Sequence, residues 1–516
     1  MTRSDNSRVA SRGPTTPVTR RGMLKSGAAV AGPLTLGLSA SLPRVSAQSA
    51  RLPDGAVRFQ PQIEPLVQLL ENTERDKLFA AVAEKIRQGV SYRQWVAATF
   101  LAAIRNVEPR PSVGYQFHSV LVVNSAHLAS LAARDQERWL PLFWAMDYFK
   151  RCQARDSRQG NWTMAAVSED RLPSADTAVA KLRAAMEQWD VEAADHAAAA
   201  AARSAPAHVL FDLFSEFGAR DFRSIGHKSI YVAGAFRVLG VIGWHYAEPV
   251  MRGLAYALLN HTGDPNPAKS DLEVDRAGRA NWKLAKSWRR DWLAGRTDDA
   301  ATVSLVEAAR QASPLELSTA TADKIAEQID PRSVYDGLYA SAAELVMRQP
   351  AIVPLHAMTT TNAIHYLYQH VSSDPLRRWL MLQNAAFLAH FRDAAEGRQR
   401  LADRKITDIH AGEASPSLPE VFAAVGTRTD GQANQVYAYL RNGGNAQSFL
   451  RQARQLVFEK GDDAHDYKYS SALLEDYYPR TPAWRDRILS AGSYLLAGSG
   501  NNDTNLPEKV RDAFAS

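Results

Sequence analysis

Residues 118–127 (HSVLVVNSAH) and 356–365 (HAMTTTNAIH) share the pattern H-x5-N-x2-H at a separation of 238 residues. Each leads into a stretch containing Arg-Trp-Leu, at Arg138-Trp139-Leu140 and at Arg378-Trp379-Leu380. A pattern recurring at that distance inside helically periodic sequence points to an internal duplication. A weaker echo pairs Ala233-Gly234-Ala235-Phe236 with Ala491-Gly492-Ser493-Tyr494. Helical periodicity covers residues 62–104, 118–152, 173–203, 227–260, 317–348, 356–396 and 446–475, while strand-like alternation is scarce. The alanine run at 193–202 has strong helix propensity, and Pro and Gly gather between segments. The expected fold is all-α, a helical bundle or repeat-like array built from two related halves. A cleft between such halves is where helical bundles place their sites.

The expected organisation is a signal segment over 1–47, an N-terminal helical half over 48–262 and a polar linker or insertion over 263–300. A C-terminal helical half over 301–498 and a loosely ordered tail over 499–516 complete it, with a further loop near 403–418. The signal is read from Thr19-Arg20-Arg21-Gly22-Met23-Leu24-Lys25, a weakly apolar run to Leu42 and the small-residue site Val45-Ser46-Ala47. These features match a twin-arginine export signal, and the apolar run is too short and too rich in small residues to span a bilayer. Cleavage after Ala47 would release a protein free in the periplasm or outside the cell, with the twin-arginine translocase as its partner during export. Passengers of that route fold before export, often around a cofactor.

Removing this segment changes the meaning of the charge. The chain carries 61 basic and 55 acidic residues, but residues 1–47 hold seven of the basic and one of the acidic, leaving 54 of each. A neutral mature chain gives no ground for nucleic-acid binding. No later apolar run is long enough for a transmembrane anchor. The single cysteine, Cys152, excludes an internal disulfide, thiolate-rich zinc sites and iron–sulfur ligation. Any metal would therefore be held by His, Asp and Glu. No phosphate-binding glycine loop, nucleophile elbow or H-E-x-x-H zinc signature is present.

Histidine is sparse, yet six of the thirteen fall in apolar helical segments: His118, His127, His227, His245, His356 and His365. A buried imidazole needs a partner for each nitrogen, and hydrogen bonds, a metal or catalysis can supply one. Nine residues advance about 900° along a helix, so His118 and His127 face opposite sides, as do His356 and His365. His245 and Glu248, at i and i+3, have the spacing to offer a nitrogen and a carboxylate to one ion. The candidate metal ligands are thus His118, His227, His245, Glu248 and His356, with His118, His227 and His356 also the candidate catalytic residues. Iron, manganese, copper and zinc all suit such a set. His465, among Asp462, Asp463 and Asp466, is an outside candidate whose plainer reading is a solvated helix start with favourable acids in its first turn. Arg220 and Arg223 around Asp221 would bind an anionic ligand or form ion pairs. Trp144, Trp162, Trp244, Phe236 and Tyr231 would wall a pocket or serve as ordinary core.

Three of these segments together resemble the questin oxidase-like family: the histidine-bearing helix at 118–127, the Gly226-His227 pair opening an apolar helix that ends at Glu248, and His356-Ala357-Met358-Thr359. The likeness spans residues 118–396. Tyr231 stands where the family pattern has a further histidine. The resemblance implies an oxygenase-type oxidoreductase acting on an aromatic or polyketide-like small molecule, with NADPH as electron donor and His118, His227 and His356 at its site. The competing expectation is a non-catalytic helical-repeat binding protein of the periplasm or cell surface, its histidines scattered as hydrogen-bonded core residues. Distance separates the two, since one ion cannot gather imidazoles more than about 12 Å apart.

Overall fold

Each long periodic segment divides into two or three helices where the chain supplies a cap. Ser91 and Gln94 form a capping box that starts the helix Tyr92–Asn106, and Ser373, followed by Pro375, starts the helix Asp374–Glu396. Gly243, at φ 114°, ends the helix His227–Ile242, a conformation that L side chains rarely adopt. The computed structural model describes residues 55–109, 113–259, 265–461 and 463–516; the export signal read over residues 1–47 lies outside them. Among the described residues there are 22 α-helices and no strand, only the isolated bridges Ala56–Ala165 and Arg296–Ile329. No described helix is long and apolar enough to cross a membrane.

Four helices form the centre and are labelled here in chain order: α1 (His118–Ala132), α2 (His227–Ile242), α3 (Ile352–His370) and α4 (Ala464–Glu475). α1 packs on α2 and α4, and α3 also packs on α2 and α4, so the four close into a ring with α1 opposite α3. α1, α2 and α3 bury residues on nearly every side, the pattern of helices covered all round. Outer helices supply that cover: Tyr92–Asn106 and Leu140–Gln159 lie on α1, while Pro331–Arg348 and Asp374–Glu396 lie on α3.

Part of the polar stretch 263–300 is a helix, Glu273–Lys286, packed on Asp374–Glu396. Trp379 donates its indole N–H to the Gly278 carbonyl at 2.9 Å and stacks on Trp282, and Asp275 pairs with Arg223. Residues 506–515, which composition reads as a loose tail, form the helix Leu506–Ala515. It buries Leu506, Val510 and Ala513 and packs on Leu78–Arg87. Three apolar residues at i, i+4 and i+7 suffice to hold so short a helix against a larger body.

Candidate metal centre

The four central helices all begin at the same end of the ring, and each carries one histidine there. His118 and His227 are the first residues of α1 and α2, His465 is the second of α4, and His356 is the fifth of α3. Their ring centroids form a closed square: 4.8 Å from His118 to His227, 4.5 Å from His227 to His356, 5.2 Å from His356 to His465 and 4.6 Å from His465 to His118. One ligand nitrogen from each lies within 4.8 Å of all the others. His118, His227 and His356 are buried, and the His465 side chain keeps 23% of its exposure.

Local chain geometry orients every ring. His118 Nδ1 donates to the Tyr115 carbonyl, His227 Nδ1 to the Ser224 carbonyl and His356 Nδ1 to the Ile352 carbonyl, each at 2.7 Å. His465 Nδ1 bonds the Asp463 carboxylate, which also caps α4 by accepting from the His465 backbone N–H. Carbonyl oxygens only accept, so the Nδ1 atoms of the three buried rings carry the protons and their Nε2 atoms present lone pairs. Such outer hydrogen bonds are the usual device that fixes a metal-ligating tautomer. Gly226 matters to this arrangement: it sits at φ 81° just before His227, and a Cβ there would stand 1.8 Å from Thr360 Oγ1. Pro354 is tolerated at the third position of α3 because first-turn N–H groups have no intrahelical partner.

His227 Nε2 lies 3.1 Å from His118 Nε2 and 2.9 Å from His356 Nε2. With the protons on Nδ1, these are lone pairs facing lone pairs. A hydrogen bond between them would require a doubly protonated imidazolium. Burial, followed by the positive charge of Lys468, holds all three rings well below the usual histidine range, with His465 the next cause at His356. A cation at the centre would resolve the conflict. Tetrahedral ligation at about 2.0–2.1 Å sets nitrogens about 3.3 Å apart, close to the spacing already present.

The remaining sequence candidates lie elsewhere. Glu248 pairs with Arg203 at 2.7 Å on the far side of the break at Gly243. His245 sits in the 3-10 turn Trp244–Tyr246, packed on Tyr246. Their i, i+3 spacing does not bring the two side chains together, because they do not share a regular helix. His127 and His365 point out of the ring, toward Tyr92 and Tyr339. Arg223 and Lys228 enclose Asp221 in a buried ion cluster, and Arg220 pairs with Glu187, which is the ion-pair alternative. Of the aromatic candidates, Trp144 stacks on Tyr467 at 4.1 Å, two residues from His465, while Phe236 and Trp244 pack on each other. Cys152 is buried and its thiol is pushed up to about 11, so it is inert. A cavity of about 860 Å³ that includes Trp144, Phe79, Arg75 and Arg151 contains none of the four histidines.

His465, the outside candidate among acidic residues, is the fourth member of the cluster. It follows His227 by 238 residues, the same step that relates His118 to His356 and His127 to His365. The chain is therefore an all-α protein with a buried four-histidine cluster able to coordinate a metal ion. Compared with known proteins, it matches no family model, no curated sequence and no solved structure.

Proposed function

We propose that this protein is an exported, histidine-ligated metalloenzyme, an oxidoreductase of the oxygenase type acting on an aromatic or polyketide-like small molecule. The observation that carries the metal is the convergence of Nε2 lone pairs at 3.1 and 2.9 Å in a buried site where imidazolium is disfavoured. Four neutral imidazoles suit iron, copper or zinc, and bound iron or copper would supply one-electron chemistry and oxygen activation. This chain's own residues would hold the ion (His118, His227, His356 and His465), fix His465 through Asp463 and exclude bulk water from three sides. His465, partly exposed, marks the approach to the site, with Tyr467 and Trp144 stacked beside it. The common 238-residue step supports two related halves, each giving one ligand pair. The twin-arginine pattern supports export after folding. The likeness of residues 118–396 to the questin oxidase-like family supports the oxygenase reading and NADPH as donor.

The test begins with protein starting at Gln48, purified without chelators or a nickel-affinity tag and analysed for elemental content. One equivalent of a transition metal is expected. An anthraquinone-type substrate should then drive oxygen consumption in the presence of NADPH. Protein with no metal, and none taken up from solution, overturns the proposal. Metal without oxygen consumption removes only the oxygenase assignment.

A further inference from the structure

One helical turn beyond the four imidazoles, the same helices turn Leu121, Ile230, Thr359 and Lys468 toward a cavity of about 30 Å³ on the ring axis. That is room for one or two water-sized bodies. The space is kept open by a missing side chain: a Cβ on Gly234 would meet nothing nearer than the Asn124 Cβ, at 3.8 Å. Two cations line the cavity. Arg237 is paired with Glu475 at 2.8 Å. Lys468 is 3% exposed, and its Nζ has no hydrogen-bond partner among the described residues. A buried ammonium without a partner is costly, and burial pushes this one down to about 7. Lys468 stands one helical turn beyond His465 on α4, and after burial its charge is the strongest influence disfavouring protonation of His118, His227 and His356. Asp463 is the carboxylate whose charge reaches it, and that carboxylate is committed to His465.

An unpaired buried amine beside a cationic centre, in a space this small, is a receptor for negative charge. We infer that the cavity binds a small anion of two or three heavy atoms, held between the metal centre and Lys468 Nζ as an added ligand. The inference rests on the metal reading above and specifies what that centre receives from inside the ring.

The experiment loads the full mature chain with Co(II) and titrates sodium azide while following the visible ligand-field absorption. Lys468→Met and Gly234→Leu are titrated in parallel, with circular dichroism to establish folding and elemental analysis to establish cobalt content. A saturable spectral change in the parent is expected, weakened at least about ten-fold in both variants with cobalt stoichiometry unchanged. Lys468→Met removes the charge and Gly234→Leu fills the space, so loss of folding in one variant leaves the other to decide. Equal azide affinity in a folded variant, or no azide binding to cobalt-loaded parent, overturns the inference and leaves the metal centre standing. Failure of the parent to take up cobalt overturns both.

Discussion

His118 and His127 lie on one helix, are comparably buried, and occupy the first and last positions of a shared pattern, yet they have opposite uses. The same holds for His356 and His365 on α3. The inward rings spend Nδ1 on a backbone carbonyl three or four residues earlier and leave Nε2 facing the axis. The outward rings meet side chains: His127 Nδ1 meets Tyr92 at 3.2 Å, and His365 meets Tyr339 at 3.3 Å through Nδ1 and Gln369 at 3.2 Å through Nε2. Burial does not distinguish a ligand from a structural imidazole. Helix phase does, because it decides whether the nitrogen left free beside a backbone-bonded Nδ1 is turned toward the ring axis.

The sharpest way to break this comparison is to remove one ring of each kind. His227→Ala should lose the metal, falling from one equivalent to below about 0.1, because three ligands with a collapsed neighbour no longer close the site. His127→Ala should keep a full equivalent. Equal retention in the two, by elemental analysis of folded protein, would erase the distinction.

A smaller effect separates the outward rings by pH. Burial lowers His365 to about 4 from an ordinary 6.5, against the opposing pull of Asp476. Between those values the unfolded chain binds the proton that the folded chain refuses. Stability from this group is therefore fully present above pH 6.5 and is lost as pH falls toward 4, by up to about 3 kcal/mol in total. Urea midpoints across this range should rise with pH in the parent, and His365→Gln should reduce that slope, the other lowered histidines supplying the remainder. An unchanged slope would mean that His365 carries its proton in the folded state.

The smallest expected change lies one bond beyond the ligands. Asp463→Asn keeps the cap on α4 but weakens the hold on His465 Nδ1, and metal affinity by competition titration should drop about 10- to 100-fold. An unchanged affinity would assign Asp463 to capping alone.

The helical character of the chain was legible because apolar periodicity and caps agree over long stretches. The opposite facing of His118 and His127 followed from nine residues of regular helix. His118, His227 and His356 stood out as histidines in apolar helices. His465 was obscured by Asp463 and Asp466, whose usual meaning is a solvated helix start. Asp463 does cap the helix, but it also orients the ring. His245 and Glu248 misled for a complementary reason: i, i+3 spacing places groups together only within one regular helix, and His245 lies in the 3-10 turn Trp244–Tyr246 while Glu248 lies in the helix Ala247–Leu259 that follows. Lys468 left no sequence signal, since its isolation depends on four helices meeting.

The imidazoles at residues 118, 227, 356 and 465 come from positions spread across most of the chain. During synthesis the first three are present long before the fourth, and no contiguous fragment shorter than residues 118–465 contains the full set. An ion that bound all four would tie together helices that pack side by side but lie far apart along the chain, so the full set of imidazoles would be available to it only after the last of these helices is made. Interrupted or truncated chains would carry at most three imidazoles, and occupancy of the centre would serve as a mark that the whole polypeptide has been made and assembled.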